Sequence, residues 1–320
     1  MRDPSVASAL KARPAWSLAP LLLLLLLPLL SGCGGGNQSA PQADLKGGGF
    51  IGKLVFTSNV PGTSNYNLYT LTLPLPGTRK PIVSGPAQEL SPVWSPDGTR
   101  AAFVSNRSGH MQIYVVNADG SHLTRLTTNT YEDNNPCWSP DGLKIAFNRT
   151  KGPSTFICTI NRDGTGSKAL TATTGLAAEP AWSPNGARIA YLNGATGYCD
   201  IYSMSAVDGS KQVRLTTADS YDSSPAWSRD GARIVFVTDR GDTGDNASLW
   251  LMNADGTNQR RLTSGYHDQK PSYSPDGAYI IFARFITGGR KIMGIRPDRT
   301  GLVAFTPGVG VDDGDPSWVE

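Results

Sequence analysis

The segment Pro92-Val93-Trp94-Ser95-Pro96-Asp97-Gly98 decides the fold, because versions of it return along the whole chain. Each copy has a proline, one variable residue and an aromatic residue, and most copies continue as Ser-Pro-Asp-Gly. The aromatic residues of the copies are Trp94, Trp138, Trp182, Trp227, Tyr273 and Trp318, separated by 44, 44, 45, 46 and 45 residues. A strand-rich repeat of this length is typical of a β-propeller, in which each repeat forms one four-stranded blade around a central channel.

The repeat over residues 91–130 predicts the four strands of one blade. Residues 92–95 form the first strand, and Pro96-Asp97-Gly98 is a tight turn in which the glycine takes a positive φ. Residues 101–104 and 113–116 form the second and third strands, and the polar segment 123–127 forms the outer strand. The second strand is continuously apolar, as expected for a strand buried on both faces.

The two ends of the repeat region predict a ring that is closed by one shared blade. Residues 51–83 contain strands over 53–58, 66–73 and 79–83, but no first strand precedes them. Residues 316–319 supply the missing first strand, and this pairing would remove an open sheet edge. We therefore predict an all-β, six-bladed β-propeller over residues 50–320, with its first blade closed by the C-terminal strand.

These residues resemble the WD40-like PD40 repeat of the TolB-like propeller family. The matching features are Trp-Ser-Pro-Asp-Gly, an apolar triplet, Ile-Tyr, Asp-Gly and Arg-Leu-Thr, and the resemblance covers every repeat. Asn185 and Arg229 depart from the turn sequence, and both changes keep the turn. TolB itself also carries an N-terminal α/β domain that has no counterpart here, so the resemblance implies the propeller and not the specific role of TolB.

Residues 1–32 predict a lipoprotein signal peptide. Three basic residues precede an apolar run over 18–30, which ends in Leu30-Ser31-Gly32-Cys33. This tetrad resembles a bacterial lipobox, in which the Cys33 thiol receives the lipid. An uncleaved anchor helix is the alternative, although the run is shorter than the ~20 apolar residues that a membrane span needs. Residues 33–49 are rich in Gly, Ser, Pro and Gln, which predicts a flexible tether.

The chain is therefore expected in the bacterial cell envelope, anchored to the membrane by its lipid. Gly34 stands where an Asp would resemble an inner-membrane retention signal, which favours the periplasmic face of the outer membrane in a Gram-negative host. Removing residues 1–32 takes three basic residues from 29 and one acidic residue from 26, which leaves 26 against 25. This near-neutral balance argues against nucleic acid as a partner. We expect a monomer whose partner is an envelope protein or peptide.

An acidic residue recurs five positions before the aromatic residue of the repeats. Five repeats have it, and the remaining one has Ala177; the acidic residues are Glu89, Asp133, Asp222, Asp268 and Asp313. One interpretation is a negative ring at the channel mouth that attracts a cationic ligand or peptide. The other is structural, with carboxylates accepting hydrogen bonds from the neighbouring turns. Arginines that follow the second strands are expected to pair with these acids across blades: Arg107, Arg149, Arg240 and Arg284.

Tyrosines close to these acids are candidate binding residues. Tyr131, Tyr221 and Tyr266 stand one or two positions before an acidic residue of the ring, and tyrosine beside charge is typical of protein interfaces. Ordinary loop tyrosines are the alternative. The sequence thus predicts a non-catalytic module that binds protein or peptide through its variable loops.

The alternative function is a carbohydrate-binding protein, or a lyase or hydrolase, that uses the channel mouth. His267, Asp268 and Lys270 are the candidate acid/base group for such an enzyme. No nucleophile elbow of the form G-x-S-x-G is present, and no catalytic residue, cofactor or metal is predicted. A cation held by Asp312, Asp313 and Asp315 is left open.

The cysteines after Cys33 do not have the spacing of a metal site. Cys137, Cys158 and Cys199 are odd in number and unevenly placed. Three buried thiols are favoured, and one disulfide in an oxidising envelope is the alternative.

Overall fold

The computed structural model describes residues 50–59, 63, 65–195, 198–244, 246–306 and 311–320. The regular structure of these residues consists of 24 β-strands, and none of them lies in an α-helix. Accordingly, this part of the chain contains no helix that could cross a membrane. The predicted signal peptide, the lipidation site Cys33 and the tether lie outside the described residues.

Four sheets contain four antiparallel strands each. One sheet has the order β24-β1-β2-β3 and consists of β1 (Gly52–Asn59), β2 (Tyr66–Leu73), β3 (Arg79–Val83) and β24 (Asp313–Val319). The next along the chain consists of β4 (Glu89–Trp94), β5 (Arg100–Ser105), β6 (Gln112–Asn117) and β7 (Thr124–Arg125). Another consists of β16 (Asp222–Trp227), β17 (Arg233–Thr238), β18 (Ser248–Asn253) and β19 (Arg260–Arg261). The last consists of β20 (Asp268–Tyr273), β21 (Ile280–Ile286), β22 (Gly289–Ile295) and β23 (Val303–Ala304).

The remaining strands form a single eight-stranded sheet, where the sequence predicted two separate four-stranded ones. Its first half consists of β8 (Glu132–Trp138), β9 (Lys144–Lys151), β10 (Ser154–Asn161) and β11 (Lys168–Ala169). Its second half consists of β12 (Leu176–Trp182), β13 (Arg188–Ala195), β14 (Tyr198–Ser205) and β15 (Val213–Arg214). The halves are joined by one parallel residue pair, Thr155 with Leu176. The same kind of parallel bridge occurs in isolation between Cys199 and Tyr221 and between Ala247 and His267.

The first strands of successive four-stranded units contact one another in a ring. β4 contacts β8, β8 contacts β12, β12 contacts β16, and β16 contacts β20. β20 contacts β24, and β24 contacts β4. β24 also pairs antiparallel with β1, with Trp318 opposite Leu54 and Val319 opposite Lys53. These contacts thus form a series that runs from β4 through β8, β12, β16 and β20 to β24 and returns to β4.

Each first strand has a bulge immediately before its proline. The register shifts at this point in the pairing of each first strand with its neighbour, for example between Leu90 and Val93. Proline cannot donate a ladder hydrogen bond and is accommodated at a bulge. The residues before the prolines have φ between 47° and 53°, and they are Ser91, Asn135, Glu179, Ser224, Lys270 and Asp315. A residue before proline is normally extended, and left-handed backbone costs an L-residue roughly 1–2 kcal/mol.

The core lies between the sheets, where the second strands are buried on both faces as predicted. Phe103, Phe147 and Phe236 are fully buried at equivalent places in β5, β9 and β17. The predicted turn after the first strand is also confirmed, because Gly98 has a φ of 66°. The turn with Asn185 is kept as well, since the Asn185 Oδ1 accepts a hydrogen bond from the Ala187 N–H at 3.0 Å.

The cysteines among the described residues are all free thiols, which was the favoured prediction. Cys158 and Cys199 are buried, whereas Cys137 is half-buried, so the expectation that all three are buried was too strong. Burial raises the pKa of Cys158 and of Cys199 to about 12. At neutral pH these thiols stay protonated and behave as small apolar side chains.

Candidate functional site

The five recurring acids lie at the beginning of the first strands, and each has an exposed fraction of 0%. Each carboxylate faces one arginine. The acid–arginine pairs are Glu89–Arg107, Asp133–Arg149, Asp222–Arg240, Asp268–Arg284 and Asp313–Arg79. Arg149 and Arg284 lie within the second strand of the sheet that holds the acid, and Arg107 and Arg240 follow that strand. These four pairs therefore form within one sheet and not across blades as expected.

Two of the pairs are joined by two parallel hydrogen bonds. The Arg284 Nε and Nη2 donate to the two carboxylate oxygens of Asp268, both at 2.7 Å. The Arg149 Nε and Nη2 donate to Asp133 at 2.7 and 2.9 Å. The strand register explains this geometry, because Asp268 lies directly opposite Arg284 and Asp133 directly opposite Arg149. Paired donors of this kind fix the carboxylate in both position and orientation.

The pairs Glu89–Arg107 and Asp222–Arg240 are each joined by one hydrogen bond, since their arginines lie beyond the second strand. The Arg107 Nη2 donates to one Glu89 oxygen at 2.6 Å, and the second oxygen has no hydrogen-bond partner among the described atoms. Burial raises the pKa of Glu89, although the nearby guanidinium of Arg107 lowers it in part. The Arg240 Nη2 contacts Asp222 at the longer distance of 3.3 Å.

Arg79 is the partner that the sequence reasoning missed. Asp313 lies opposite Ser58 in the register of β24 and β1, so no arginine of the second strand can reach it. Arg79 comes instead from β3, with its Nη1 3.3 Å from the Asp313 Oδ1 and its guanidinium 4.3 Å above the ring of Tyr69. The only signal in the sequence was the missing arginine after strand β1.

Aromatic rings support the arginines of the other pairs in the same way. Arg149 lies over Phe147 at 5.3 Å, and Arg240 lies over Trp250 at 4.9 Å. A guanidinium over a ring face gains an electrostatic attraction. The acids are therefore buried, and each faces an arginine.

The predicted tyrosines differ in their exposure. Tyr266 is 42% exposed, and the Arg284 guanidinium lies 4.4 Å from its ring centre. Phe285, at the end of β21, is 44% exposed and was not singled out from the sequence. Tyr131 is half-buried under Lys151, and Tyr221 is half-buried in a small apolar cluster. Tyr198, at the start of β14, lies at the same end, is 63% exposed and was also not singled out. Tyr198, Tyr266 and Phe285 are thus the exposed aromatic residues of the described part of this end.

The candidate acid/base residues around His267 point to different partners. The Asp268 carboxylate is bound by Arg284, and the Lys270 ammonium is bound by Glu179 at 2.7 Å. The His267 ring lies against Phe285, with ring centres 4.9 Å apart. The structure does not bring these three side chains together around a substrate position.

The acidic cluster near the C-terminus is also divided among separate partners. Asp312 accepts a hydrogen bond from the Arg290 Nε at 2.6 Å and another from the Tyr66 hydroxyl. Asp313 faces Arg79, and Asp315 accepts a hydrogen bond from the Ser91 N–H at 3.3 Å. Within the described residues, no group of three His, Cys, Asp or Glu side chains is placed to hold a metal ion.

Comparisons with known proteins agree on the fold. The uncharacterized protein Atu1656 of Agrobacterium fabrum is 34% identical over 68 residues, which is 21% of this chain and 23% of that protein. The chain thus spans about a quarter of that curated relative. TolB from Acinetobacter baumannii superimposes with a TM-score of 0.73 and 23% identity over 84% of this chain and 66% of that one. Hydrazine synthase of Kuenenia stuttgartiensis gives a TM-score of 0.71 and 15% identity over 85% and 47%.

The two solved structures share the propeller fold with this chain, and at these identities they indicate the fold alone. The family comparison is more specific, because the model of the TolB beta propeller domain matches residues 48–153 and 130–319. Those segments include every copy of the repeat that was recognised from the sequence. The chain belongs to the PD40 family of TolB beta propeller domains.

Proposed function

We propose that this protein is a lipid-anchored, non-catalytic propeller of the bacterial cell envelope that binds a protein or peptide. The single observation that carries the proposal is membership of the TolB beta propeller domain family over the whole repeat region. Attachment through Cys33, and exposure at the periplasmic face of the outer membrane, are parts of the proposal that rest on the sequence.

The proposed scaffold has six blades, closed by β24. Two observations support this count. The eight-stranded sheet is held together by one residue pair, Thr155 with Leu176, whose counterparts at two other junctions are isolated bridges. In addition, six first strands contact one another in a ring that returns from β20 through β24 to β4. We therefore treat the eight-stranded sheet as two adjacent blades, with β8 and β12 as their first strands.

The proposed binding surface is the end of the sheets where the first strands begin, called here the loop face. Tyr266 and Phe285 lie there, each more than two-fifths exposed, and the two half-buried tyrosines Tyr131 and Tyr221 lie at the same end. Aromatic residues contribute much of the binding free energy of protein interfaces, and loops on a rigid scaffold are frequent binding sites. The ring acids are proposed to support this surface from below through their arginines.

This arrangement changes the expected dependence of binding on salt. Each carboxylate of the ring faces an arginine guanidinium, so little negative field remains to attract a cationic partner. We therefore expect the association rate to change little with ionic strength. A rate that falls steeply with added salt would favour charge-steered binding by the acidic ring instead.

The test is crosslinking in intact cells followed by mass spectrometry. The natural chain is compared with a Tyr266→Ala/Phe285→Ala variant and with a matched Leu143→Ala/Val207→Ala control. The control residues are also exposed and apolar, but they belong to turns at the opposite end of the sheets. We expect a defined protein to be captured by the natural chain and by the control, and to be lost from the first variant.

Two results would count against the proposal. Capture that survives in the Tyr266→Ala/Phe285→Ala variant places the binding surface elsewhere. Capture of no protein by the natural chain, together with binding of an oligosaccharide in a glycan screen, favours the carbohydrate-binding alternative. Melting curves of all three proteins establish that each variant is folded before the comparison is made.

A further inference from the structure

The six residues before the prolines form a second polar ring around the axis, called here the pre-proline ring. Its members are Ser91, Asn135, Glu179, Ser224, Lys270 and Asp315, one from each first strand. All are half-buried and share the left-handed backbone of the bulge. Unlike the acid–arginine pairs, the ring has a different kind of side chain at almost every position.

Neighbouring members of this ring bond to one another. The Ser224 N–H donates to the Glu179 Oε2 at 2.7 Å, which joins β16 to β12. The Ser91 N–H donates to the Asp315 Oδ2 at 3.3 Å, which joins β4 to β24. The Ser91 hydroxyl lies 3.5 Å from the Asn135 Oδ1, at the far limit of a hydrogen bond. These contacts run along the wall of the channel.

Lys270 makes contacts of another kind, because they cross the channel. Its Nζ donates to the Glu179 Oε1 at 2.7 Å and to the Asn135 Oδ1 at 3.1 Å. In the ring of first strands, β12 is two places from β20 and β8 is three places away, on the opposite side. One side chain therefore connects β20 to two first strands that are not its neighbours.

The charges around Lys270 fit this position. Burial by itself lowers the pKa of the Lys270 ammonium, but the carboxylates of Glu179 and Asp315 outweigh it and raise the pKa above its usual value. Burial likewise raises the pKa of Glu179, whereas Lys270 and the Ser224 bonds bring it below its usual value. Both side chains keep some contact with solvent, with exposed fractions of 28% for Lys270 and 12% for Glu179.

We propose that the Lys270 ammonium is a tethered cation that closes the middle of the central channel and ties opposite sheets together. The oxygens of Glu179, Asn135 and Asp315 form its surroundings, and the strained bulges direct these side chains toward the axis. The channel is then not a passage from one end of the molecule to the other. A ligand that enters from the loop face stops at this contact.

The first test removes the ammonium and then returns it as a free ion. Lys270→Ala in the full chain leaves the Glu179 carboxylate uncompensated, and we expect the unfolding equilibrium constant in urea to rise roughly tenfold or more. n-Propylammonium chloride should reverse part of this loss, because it replaces the deleted part of the side chain. Sodium chloride at the same concentration and neutral n-propanol should not. The matched control is Lys144→Ala, which removes an exposed lysine at the start of β9.

Two results would overturn the proposal. One is a loss in Lys270→Ala no greater than in Lys144→Ala. The other is equal recovery in sodium chloride and n-propylammonium chloride, which would indicate general screening and not a site for an ammonium ion. Both the unfolding constants and the recovery are read from urea titrations followed by tryptophan fluorescence.

A double-mutant cycle covers the case in which Lys270→Ala does not fold. Lys270→Met, Glu179→Gln and the combined variant are compared with the natural chain. Lys270→Met leaves the Glu179 charge without its partner, whereas the combined variant removes both charges. We therefore expect the combined variant to be more stable than Lys270→Met, with a coupling of roughly tenfold in the unfolding constant. A combined variant that is no more stable than Lys270→Met would contradict the proposal.

Discussion

Asp268 and Lys270 are two residues apart on the same strand, yet Asp268 binds a residue of its own sheet and Lys270 binds residues of other sheets. Asp268 is fully buried and binds Arg284 of its own sheet through two hydrogen bonds. Lys270 is half-buried and binds Glu179 and Asn135, which belong to other first strands. The bulge that contains Lys270 separates the two roles, because it interrupts the register with β21 and places the Lys270 backbone in the left-handed region.

Charged side chains of one strand can therefore bind within their own sheet or join separate sheets, depending on the backbone conformation at each residue. The acid–arginine pairs repeat because each of these carboxylates is buried and needs a nearby positive charge. The pre-proline ring does not repeat, because its side chains complement one another around the axis. Variants that remove a contact within one sheet should therefore leave the contacts between sheets intact, and the reverse should also hold.

The largest effect is expected from deleting residues 316–320. β24 carries Trp318, whose ring packs against Phe305 at 5.4 Å and whose Nε1 donates to the Ile51 carbonyl at 3.0 Å. Without this strand the sheet of β1 to β3 loses its partner at the axis, and an open edge remains. We expect loss of cooperative thermal unfolding, measured by circular dichroism. Removal of the exposed Glu320 alone is the control, and an unchanged melting temperature after the longer deletion would refute the closed ring.

Breaking one pair within a sheet should cost less. Asp268→Asn removes the charge that compensates Arg284, which is itself buried, and we expect a loss of about 3–5 kcal/mol in the free energy of unfolding. Urea titration measures this loss. The control is Asp97→Asn in an exposed turn, which should change stability by less than about 1 kcal/mol. Equal losses in the two variants would mean that the buried pair contributes no more than a surface turn does.

Contacts between sheets can be compared through two tryptophans of the repeat. Trp138 is buried between β8 and β4, and its Nε1 donates to the Val93 carbonyl at 3.3 Å. Trp182 is half-buried, and its Nε1 donates to Gly186 in its own hairpin at 3.2 Å. We expect Trp138→Ala to cost about 3–5 kcal/mol and Trp182→Ala to cost less. The reverse order in urea titrations would show that the local hairpin bond, and not burial between sheets, decides the cost.

The smallest effect concerns the dependence of stability on pH. Burial raises the pKa of Glu89 in the folded protein, so folding favours its protonated form. This contribution is present below the ordinary pKa of glutamate and is lost as the pH rises through the higher folded value. The natural chain should therefore lose slightly more stability over that interval than Glu89→Gln. Parallel curves for the two proteins, measured by urea titration from about pH 4 to pH 7, would argue against a protonated Glu89.

Much of the fold could be predicted because the same sequence pattern occurs six times along the chain. Six copies of the proline-aromatic segment set the number of first strands, and the apolar second strands identified the core. The bounds of β2 and β3 agree with the predicted strands. The outer strands were predicted too long, since β7 spans only Thr124–Arg125. Short outer strands are less constrained by burial than the strands between the sheets.

The site was harder to predict, because partner choice depends on register and backbone geometry. The sequence showed which acids recur, but pairing within one sheet follows from the alignment of Asp268 opposite Arg284. Arg79 beside Asp313 was missed because the two residues are far apart along the chain, and the missing arginine after β1 does not indicate which residue replaces it. The exposed Phe285 was also missed, since it lies near the end of a strand whose first five residues are buried.

Short-range patterns of proline, aromatic residues and Asp-Gly at fixed spacing were enough to predict the propeller, its family and the repeated turns. Only the tertiary structure decided which charges meet. Lys270 reaches Glu179 and Asn135 across 91 and 135 residues of chain, and no local pattern encodes contacts of that range. These contacts join residues of separate sheets, so they form only once the sheets have assembled.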